Sequence, residues 1–143
     1  MKHDLPYIKR GPLLSRGEMA FYRVLRKAIG RRFHIAFKVR LADLVTCSEQ
    51  AWAAGFGHMI ARHHIDFVLC DYRSMDVVAA IELDDRSHAR NKRVSRDRFI
   101  DDALASAGIP LIRIRAAARY NATELCESIA ATTYRSSARP TAN

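Results

Sequence analysis

Ile65-Asp66-Phe67-Val68-Leu69-Cys70-Asp71, then Tyr72-Arg73-Ser74-Met75-Asp76, then Val77-Val78-Ala79-Ala80-Ile81-Glu82-Leu83 is the stretch on which the fold turns. Two apolar runs rich in β-formers flank a short polar segment, the pattern of two strands paired antiparallel. Centring the turn on Ser74 makes residues whose numbers sum to 148 opposite neighbours. Asp66 then faces Glu82, Val68 faces Ala80 and Cys70 faces Val78. Opposed side chains share a sheet face, with Cβ atoms about 4.5–5.5 Å apart. The two-residue period sets Asp84 beside Glu82 and turns Ile65, Phe67, Leu69, Ile81 and Leu83 to the other, core-facing side. Three carboxylates thus converge on one patch. They repel one another, so the patch calls for a cation or a proton to offset it. Hard carboxylate oxygens suit Mg²⁺ or Mn²⁺, which can polarise a phosphodiester. The alternative on these residues alone is carboxylates at strand ends paired with Arg.

Working outward, Ser15-Arg16-Gly17-Glu18 has the spacing of a capping box, and Met19, Tyr22, Leu25, Arg26 and Ile29 recur at helical intervals up to Gly30. Phe33 to Leu41 alternates as a strand. Residues 42–62, with Trp52, Gly55 and Gly57, read either as a short helix or as an ordered loop. Beyond the hairpin, the polar stretch Asp84–Asn91 leads into a helix to about Ala107 with the stripe Ile100, Ala103, Leu104 and Ala107. Gly108 caps it, Ile109–Ile114 is a fourth strand, and a last helix spans about Ala122 to Tyr134. The order is α-β-β-β-α-β-α.

With 143 residues, 49% hydrophobic and 27% charged, the chain fits one globular domain and not a disordered one. The division expected is a basic arm over 1–12, a single domain over 13–134 and a flexible tail over 135–143. No uncharged run is long enough for a membrane span, and the polar start Met1–Pro6 lacks a secretory segment, so the expected location is cytoplasmic. Cys47, Cys70 and Cys126 are an odd, scattered set that argues against a disulfide framework and a zinc ribbon and reads as small buried hydrophobes.

The net charge of +9 is concentrated. Residues 1–40 hold eleven Lys and Arg against Asp4 and Glu18, while residues 41–143 balance to zero. Arg supplies 19 of the 24 basic residues, and its planar fork suits phosphate. The expected partner is a polyanion, nucleic acid and most simply DNA, with no membrane. A basic surface serving solubility alone is the alternative. The expected DNA contacts are Arg23, Arg26, Lys27, Arg31, Arg32, Lys38, Arg40 and Arg96.

The strings Asp66-Phe67-Val68, Ile81-Glu82-Leu83-Asp84-Asp85-Arg86-Ser87-His88, Arg96-Asp97 and Ala107-Gly108-Ile109-Pro110 resemble the family called domain of unknown function 2726. That family is assigned to the PD-(D/E)XK, restriction-endonuclease-like superfamily, near the very-short-patch-repair endonuclease branch. The resemblance covers about Leu13 to Tyr120, and Glu-Leu-Asp-Asp-x-x-His is its most specific part. It implies an α/β fold with a restriction-endonuclease-like α-β-β-β-α-β core, a mixed central sheet flanked by helices. It also implies that Asp66 and Glu82 are metal ligands and that Glu18 is the acidic residue many members carry on the first helix. Where the wider superfamily has Lys two residues after Glu82, this chain has Asp84. Lys38, Lys92 and His88 are the candidates to replace that Lys.

Each supporting residue has a plainer alternative. Glu18 is equally a capping partner of Ser15, and His88, an acid, base or ligand candidate, is equally a helix-entry hydrogen bonder. Arg93 and Arg96 continue the stripe of the second long helix backwards, to contact phosphate or, as the favoured reading, to neutralise Asp84. His58, His63 and His64 lack a fourth ligand at zinc spacing, and Trp52 and Tyr72 read as core or rim packing rather than base-stacking rings. The expected function is a metal-dependent nuclease or nuclease-like DNA-processing domain that uses Mg²⁺ or Mn²⁺. Its catalytic set is Asp66, Glu82, Asp84, His88, Glu18 and Lys38. The alternatives on the same fold are a catalytically silent nucleic-acid-binding module and a subunit of a larger DNA-processing complex; a homodimer is a further possible assembly.

Overall fold

Ser15 starts the first helix as its spacing predicts. The Ser15 hydroxyl accepts from the Glu18 backbone N–H at 3.2 Å, and Glu18 Oε2 accepts from the Ser15 N–H at 2.7 Å. This closed capping box satisfies two donors at once. In the computed structural model, which describes residues 5–84 and 90–137, helix α1 spans Arg16–Ile29 and stops at Gly30, whose φ of +56° suits a residue without Cβ. The buried face of α1 is Phe21, Leu25, Ala28 and Ile29. It is centred on Phe21 and not on Met19, which is exposed, and Arg26 also faces solvent.

Strand β1 (Phe33–Arg40) follows, then short helices α2 (Leu41–Leu44) and α3 (Glu49–Ala51), a π-type turn over Trp52–Phe56, and α4 (Gly57–Ala61). The segment that sequence left between helix and loop is therefore broken helix. Gly55, at φ +106°, kinks it. Gly57 is buried under the Trp52 ring, so closely that a Cβ there would overlap the indole. Strands β2 (His64–Asp71) and β3 (Val77–Asp84), helix α5 (Arg90–Ser106), strand β4 (Leu111–Arg115) and helix α6 (Ala122–Ser137) complete the order. Helix α6 runs three residues into the stretch expected as a tail.

The four strands form one mixed sheet in the order β1-β2-β3-β4, antiparallel at the first two junctions and parallel at the third. The 148 register holds at Phe67–Ile81, Val68–Ala80 and Leu69–Ala79, but Cys70 pairs with Val77 rather than Val78. The turn is the reason. Asp71 N–H donates to the Asp76 carbonyl, and the Asp71 carboxylate accepts from the Arg73 and Ser74 N–H groups. That closure pairs 71 with 76, one step off the strand register, and the bulge at Leu69/Cys70 absorbs the difference.

Both sheet faces are covered, which corrects the expectation of one core-facing side. Helices α1 and α6 pack on Phe67, Leu69, Ala79, Ile81 and Ile112. Leu41, Ile60, Ile100 and Leu104, from α2, α4 and α5, pack on Val68, Cys70 and Ala80, and Ile65 joins this second cluster. Ile100 and Leu104 of the expected α5 stripe are fully buried, while Ala107 is exposed. Each large apolar side chain taken fully from water contributes about 1.5–3 kcal/mol. Cys70 is buried, but Cys47 and Cys126 are only half-buried, and all three are free thiols. Among the described residues no helix is long and apolar enough to cross a membrane.

Candidate functional site

Asp66 lies near the start of β2 and Glu82 near the end of β3. One step beyond the Phe67–Ile81 pair the carboxylates take over from the backbone ladder. Glu82 Oε1 accepts from the Asp66 N–H at 3.0 Å, and Asp66 Oδ2 accepts from the Leu83 N–H at 2.8 Å. Each carboxylate is thus tied to the main chain of the other's strand, which fixes both side chains. These two bonds bring the carboxyl groups together just beyond the last ladder pair, Phe67–Ile81, the proximity that sequence expects.

Glu82 is only 5% exposed. Burial, reinforced by the charge of Asp66, pushes its carboxyl up to about 7 against the pull of the Asp66 N–H, Arg96 and Arg113. Asp66 is also raised, by burial first and then by the charge of Glu18, with the Leu83 N–H, Lys38 and Arg96 opposing. Two carboxylates raised together form a site short of positive charge.

Lys38 supplies some of that charge from β1. Phe37 pairs with Phe67 and Val39 with Ile65, so Lys38 stands opposite Asp66, and its φ is +53°. A left-handed non-glycine residue costs on the order of 1–3 kcal/mol, and such strain clusters at functional sites. Lys38 Nζ is held by Glu18 Oε1 at 2.9 Å, while Glu18 Oε2 closes the capping box. Burial raises the Glu18 carboxyl, but the hydrogen bonds from Lys38 and Ser15 outweigh it and hold the group below its ordinary value. Glu18 thus caps α1 with one oxygen and holds Lys38 with the other.

Asp84 departs from the expectation. It is exposed, and its carboxylate binds Arg113 Nη1 at 2.9 Å, so its neutralising partner is Arg113 and not Arg96. Arg113 sits beside Glu82 in the parallel β3–β4 register and also binds Asp101 at 2.9 Å and the Asp97 carbonyl at 3.3 Å. The third carboxylate thus belongs to a clamp between α5 and β4. Among the described residues no group of three or more His, Cys, Asp or Glu side chains is arranged to hold a metal. Sequence reading missed Arg113, although an Arg inside the apolar run Leu111-Ile112-Arg113-Ile114 signals an acidic partner on that face.

The basic residues divide. Arg23, Arg26 and Lys27 on α1, Arg31 after it, and Arg96 on α5 are exposed. Arg32 donates to the Ala28 and Ile29 carbonyls and to Cys126 Sγ, joining the end of α1 to α6. Arg40 makes a two-pronged contact with Asp43, at 3.1 and 2.7 Å. His88 lies outside the described residues, as do the side chains of Lys92 and Arg93. His63 is half-buried against Phe99, and burial, then Arg96, Arg62 and His64, lowers its affinity for a proton. Trp52 and Tyr72, expected as packing residues, are 45% and 56% exposed; Tyr72 stacks on His34 with ring centres 4.7 Å apart.

No curated protein and no solved structure matches this chain. A family model described as "Protein of unknown function (DUF2726)" matches residues 10–132, which run from the arm through all four strands into α6, and the chain belongs to that family.

Proposed function

We propose that the chain is a metal-dependent nuclease domain that hydrolyses phosphodiester bonds in DNA, built on a restriction-endonuclease-like core. The α-β-β-β-α-β order and the mixed four-stranded sheet support that fold. The observation that carries the function is the Asp66–Glu82 pair: two carboxylates on adjacent strands, each anchored to the backbone of the other's strand, in a setting that resists their ionisation.

The donor set fits Mg²⁺ or Mn²⁺. Each carboxylate spends one oxygen on a backbone N–H, and its other oxygen is the hard donor such an ion takes. Two protein ligands with water filling the remaining positions match the habit of Mg²⁺, which dehydrates reluctantly. When bound, the ion supplies Lewis acidity to a phosphodiester. The chain's own residues prepare the site. Glu82 must release its proton to accept a cation, so the site loads as the pH rises through about 7. Lys38, opposite Asp66, is the ammonium placed to hold a phosphate oxygen, the part left open by Asp84 at the usual Lys position. The exposed Arg23, Arg26, Lys27 and Arg31 bind backbone phosphates without reading sequence.

A second reading, the catalytically silent nucleic-acid-binding module, has its own support: Asp84 is engaged by Arg113 and Lys38 by Glu18. A nicking assay on supercoiled DNA in Mg²⁺ or Mn²⁺ separates the two. The nuclease reading expects open circles from the wild type, none in chelator, and none from Asp66→Ala or Glu82→Ala while DNA binding persists. Wild-type protein inert on single-stranded, duplex and branched DNA and on RNA leaves the silent module standing.

A further inference from the structure

Residues 41–143 carry no net charge, yet one short stretch of them is wholly basic. The stretch from Leu111 to Tyr120 holds Arg113, Arg115 and Arg119 and no acidic residue. These arginines differ in what they do. Arg113 is taken up by Asp84, Asp101 and the Asp97 carbonyl. Arg115 and Arg119 are exposed and make no ion pair among the described residues. Register sets Arg115 close to the candidate site, since parallel pairing puts Arg113 beside Glu82 and Arg115 beside Asp84. Ile114 turns to the core between α1 and α6, so Arg113 and Arg115 share the opposite face of β4. One strand spacing and two residues separate Glu82 from Arg115, about 8 Å between their Cα atoms. The adjacent Asp84 binds Arg113 rather than Arg115.

The segment that carries Arg119 is pinned at both ends. Ala116 N–H donates to the Asp84 carbonyl at 2.9 Å, which carries the β3–β4 ladder one step past the strand. Ala117 N–H donates to the Tyr120 hydroxyl at 3.0 Å, and the Tyr120 ring meets Phe21 of the core edge-on at 5.1 Å. Asn121 then caps α6, its Oδ1 accepting from the Thr123 and Glu124 N–H groups. Only the methyl groups of Ala116, Ala117 and Ala118 stand between the two arginines, and Arg119 lies no more than about 14 Å from Arg115 along the chain. Arginines ordered in advance suit a chain of phosphates, because the planar fork matches the phosphate and little freedom is lost on binding. They stand on the β4 side of the Asp66–Glu82 pair, whereas Lys38 stands on the β1 side. From β1 to β4 the sheet is about 14 Å wide, the axial length of about four phosphates on one DNA strand.

We propose that Arg115 and Arg119 form a second phosphate-binding surface, which holds the DNA backbone on the β4 side of the candidate site, apart from the basic residues of positions 1–40. This rests on the reading of nucleic acid as the partner and not on cleavage.

The test is fluorescence anisotropy of labelled DNA duplexes titrated with the full chain from about 50 to 300 mM salt, in chelator so that no cleavage is involved. Each lost phosphate contact lowers the slope of log affinity against log salt by about 0.9, or about eightfold in affinity at 0.1 M. Arg115→Gln and Arg119→Gln are each expected to show that loss, and the double variant about twice the change in slope. Arg115→Lys keeps the charge and the slope. The loss is expected alike on duplexes of unrelated sequence, because backbone contacts read no bases. Arg73→Gln removes the same charge from the exposed turn at the other end of β2 and β3, and its slope is expected to match the wild type. A wild-type slope in the double variant, an equal drop in Arg73→Gln, or a loss confined to one sequence overturns the proposal. The two levels fail separately. A wild type without salt-dependent DNA binding refutes the nucleic-acid partner itself, and this surface with it. A wild type that binds and loses slope in Arg23→Gln, but not in the Arg115 and Arg119 variants, refutes this surface alone. A protein that nicks nothing yet loses slope as expected refutes the chemistry and keeps the surface.

Discussion

Glu82 makes folding stability depend on pH in a direction opposite to that of most carboxylates. Its carboxyl is raised from 4.5 to about 7 in the folded protein, so the native state binds a proton that the unfolded chain releases. The resulting stabilisation is fully present below 4.5 and is lost as the pH climbs through about 7. At 1.36 kcal/mol per pH unit the contribution is about 3 kcal/mol, and with only 5% of Glu82 exposed, solvent screening does little to reduce it. For a chain of this size that is a change of roughly 6–12 °C in Tm. Glu82→Gln keeps the shape and an oxygen that can accept from the Asp66 N–H, yet cannot ionise. Urea denaturation of both proteins at intervals from pH 4.5 to 8, in chelator, gives the difference curve in which other titrations cancel. The gap should widen in favour of Glu82→Gln between about pH 5 and 7 and level off above that. Parallel curves, or a wild type that gains on the variant as the pH rises, would refute the assignment of Glu82 as a buried carboxyl facing a second one.

Three further outcomes follow from separate contacts. Ser15→Ala opens the capping box and should cost about 0.5–2 kcal/mol in urea denaturation, and Glu18→Gln should cost less because one oxygen remains to cap. Gly57→Ala forces a Cβ against the Trp52 ring; Trp52 is the chain's single tryptophan, so a changed emission maximum together with a loss of about 1–3 kcal/mol reports the displacement directly. Arg113→Met leaves Asp84, Asp97 and Asp101 without their shared cation and should destabilise, whereas Asp84→Asn should cost no more than about 1 kcal/mol, as for an exposed pair, and leave nicking intact.

What sequence disclosed was local. The Ser15–Glu18 box, the stop at Gly30 and the Ile100/Leu104 stripe each depend on residues within a turn or two of one another. The β2–β3 pairing was legible for the same reason, since a short turn leaves few registers to choose among, and the Asp66–Glu82 juxtaposition came with it. The bulge at Cys70 was not, because it comes from the Asp71 carboxylate capping the turn, which no alternation pattern records. Lys38 opposite Asp66 and Arg113 beside Glu82 are products of pairings across 28 and 31 positions of chain, through broken helices in one case and through α5 in the other. Spacing along the sequence carries no register across such connections. For that reason Arg96, the nearer neighbour in sequence, reads as the partner of Asp84, when that partner is Arg113 on β4.

Manganese binding followed by electron paramagnetic resonance asks whether Asp66 and Glu82 hold an ion before any substrate is chosen. One Mn²⁺ per chain is expected at pH 8, with affinity that falls as the pH drops below about 7 and Glu82 takes its proton, and with loss of the site in Asp66→Asn while the fold is retained. Binding that is absent at pH 8, insensitive to pH between 6 and 8, or unchanged by Asp66→Asn would contradict it.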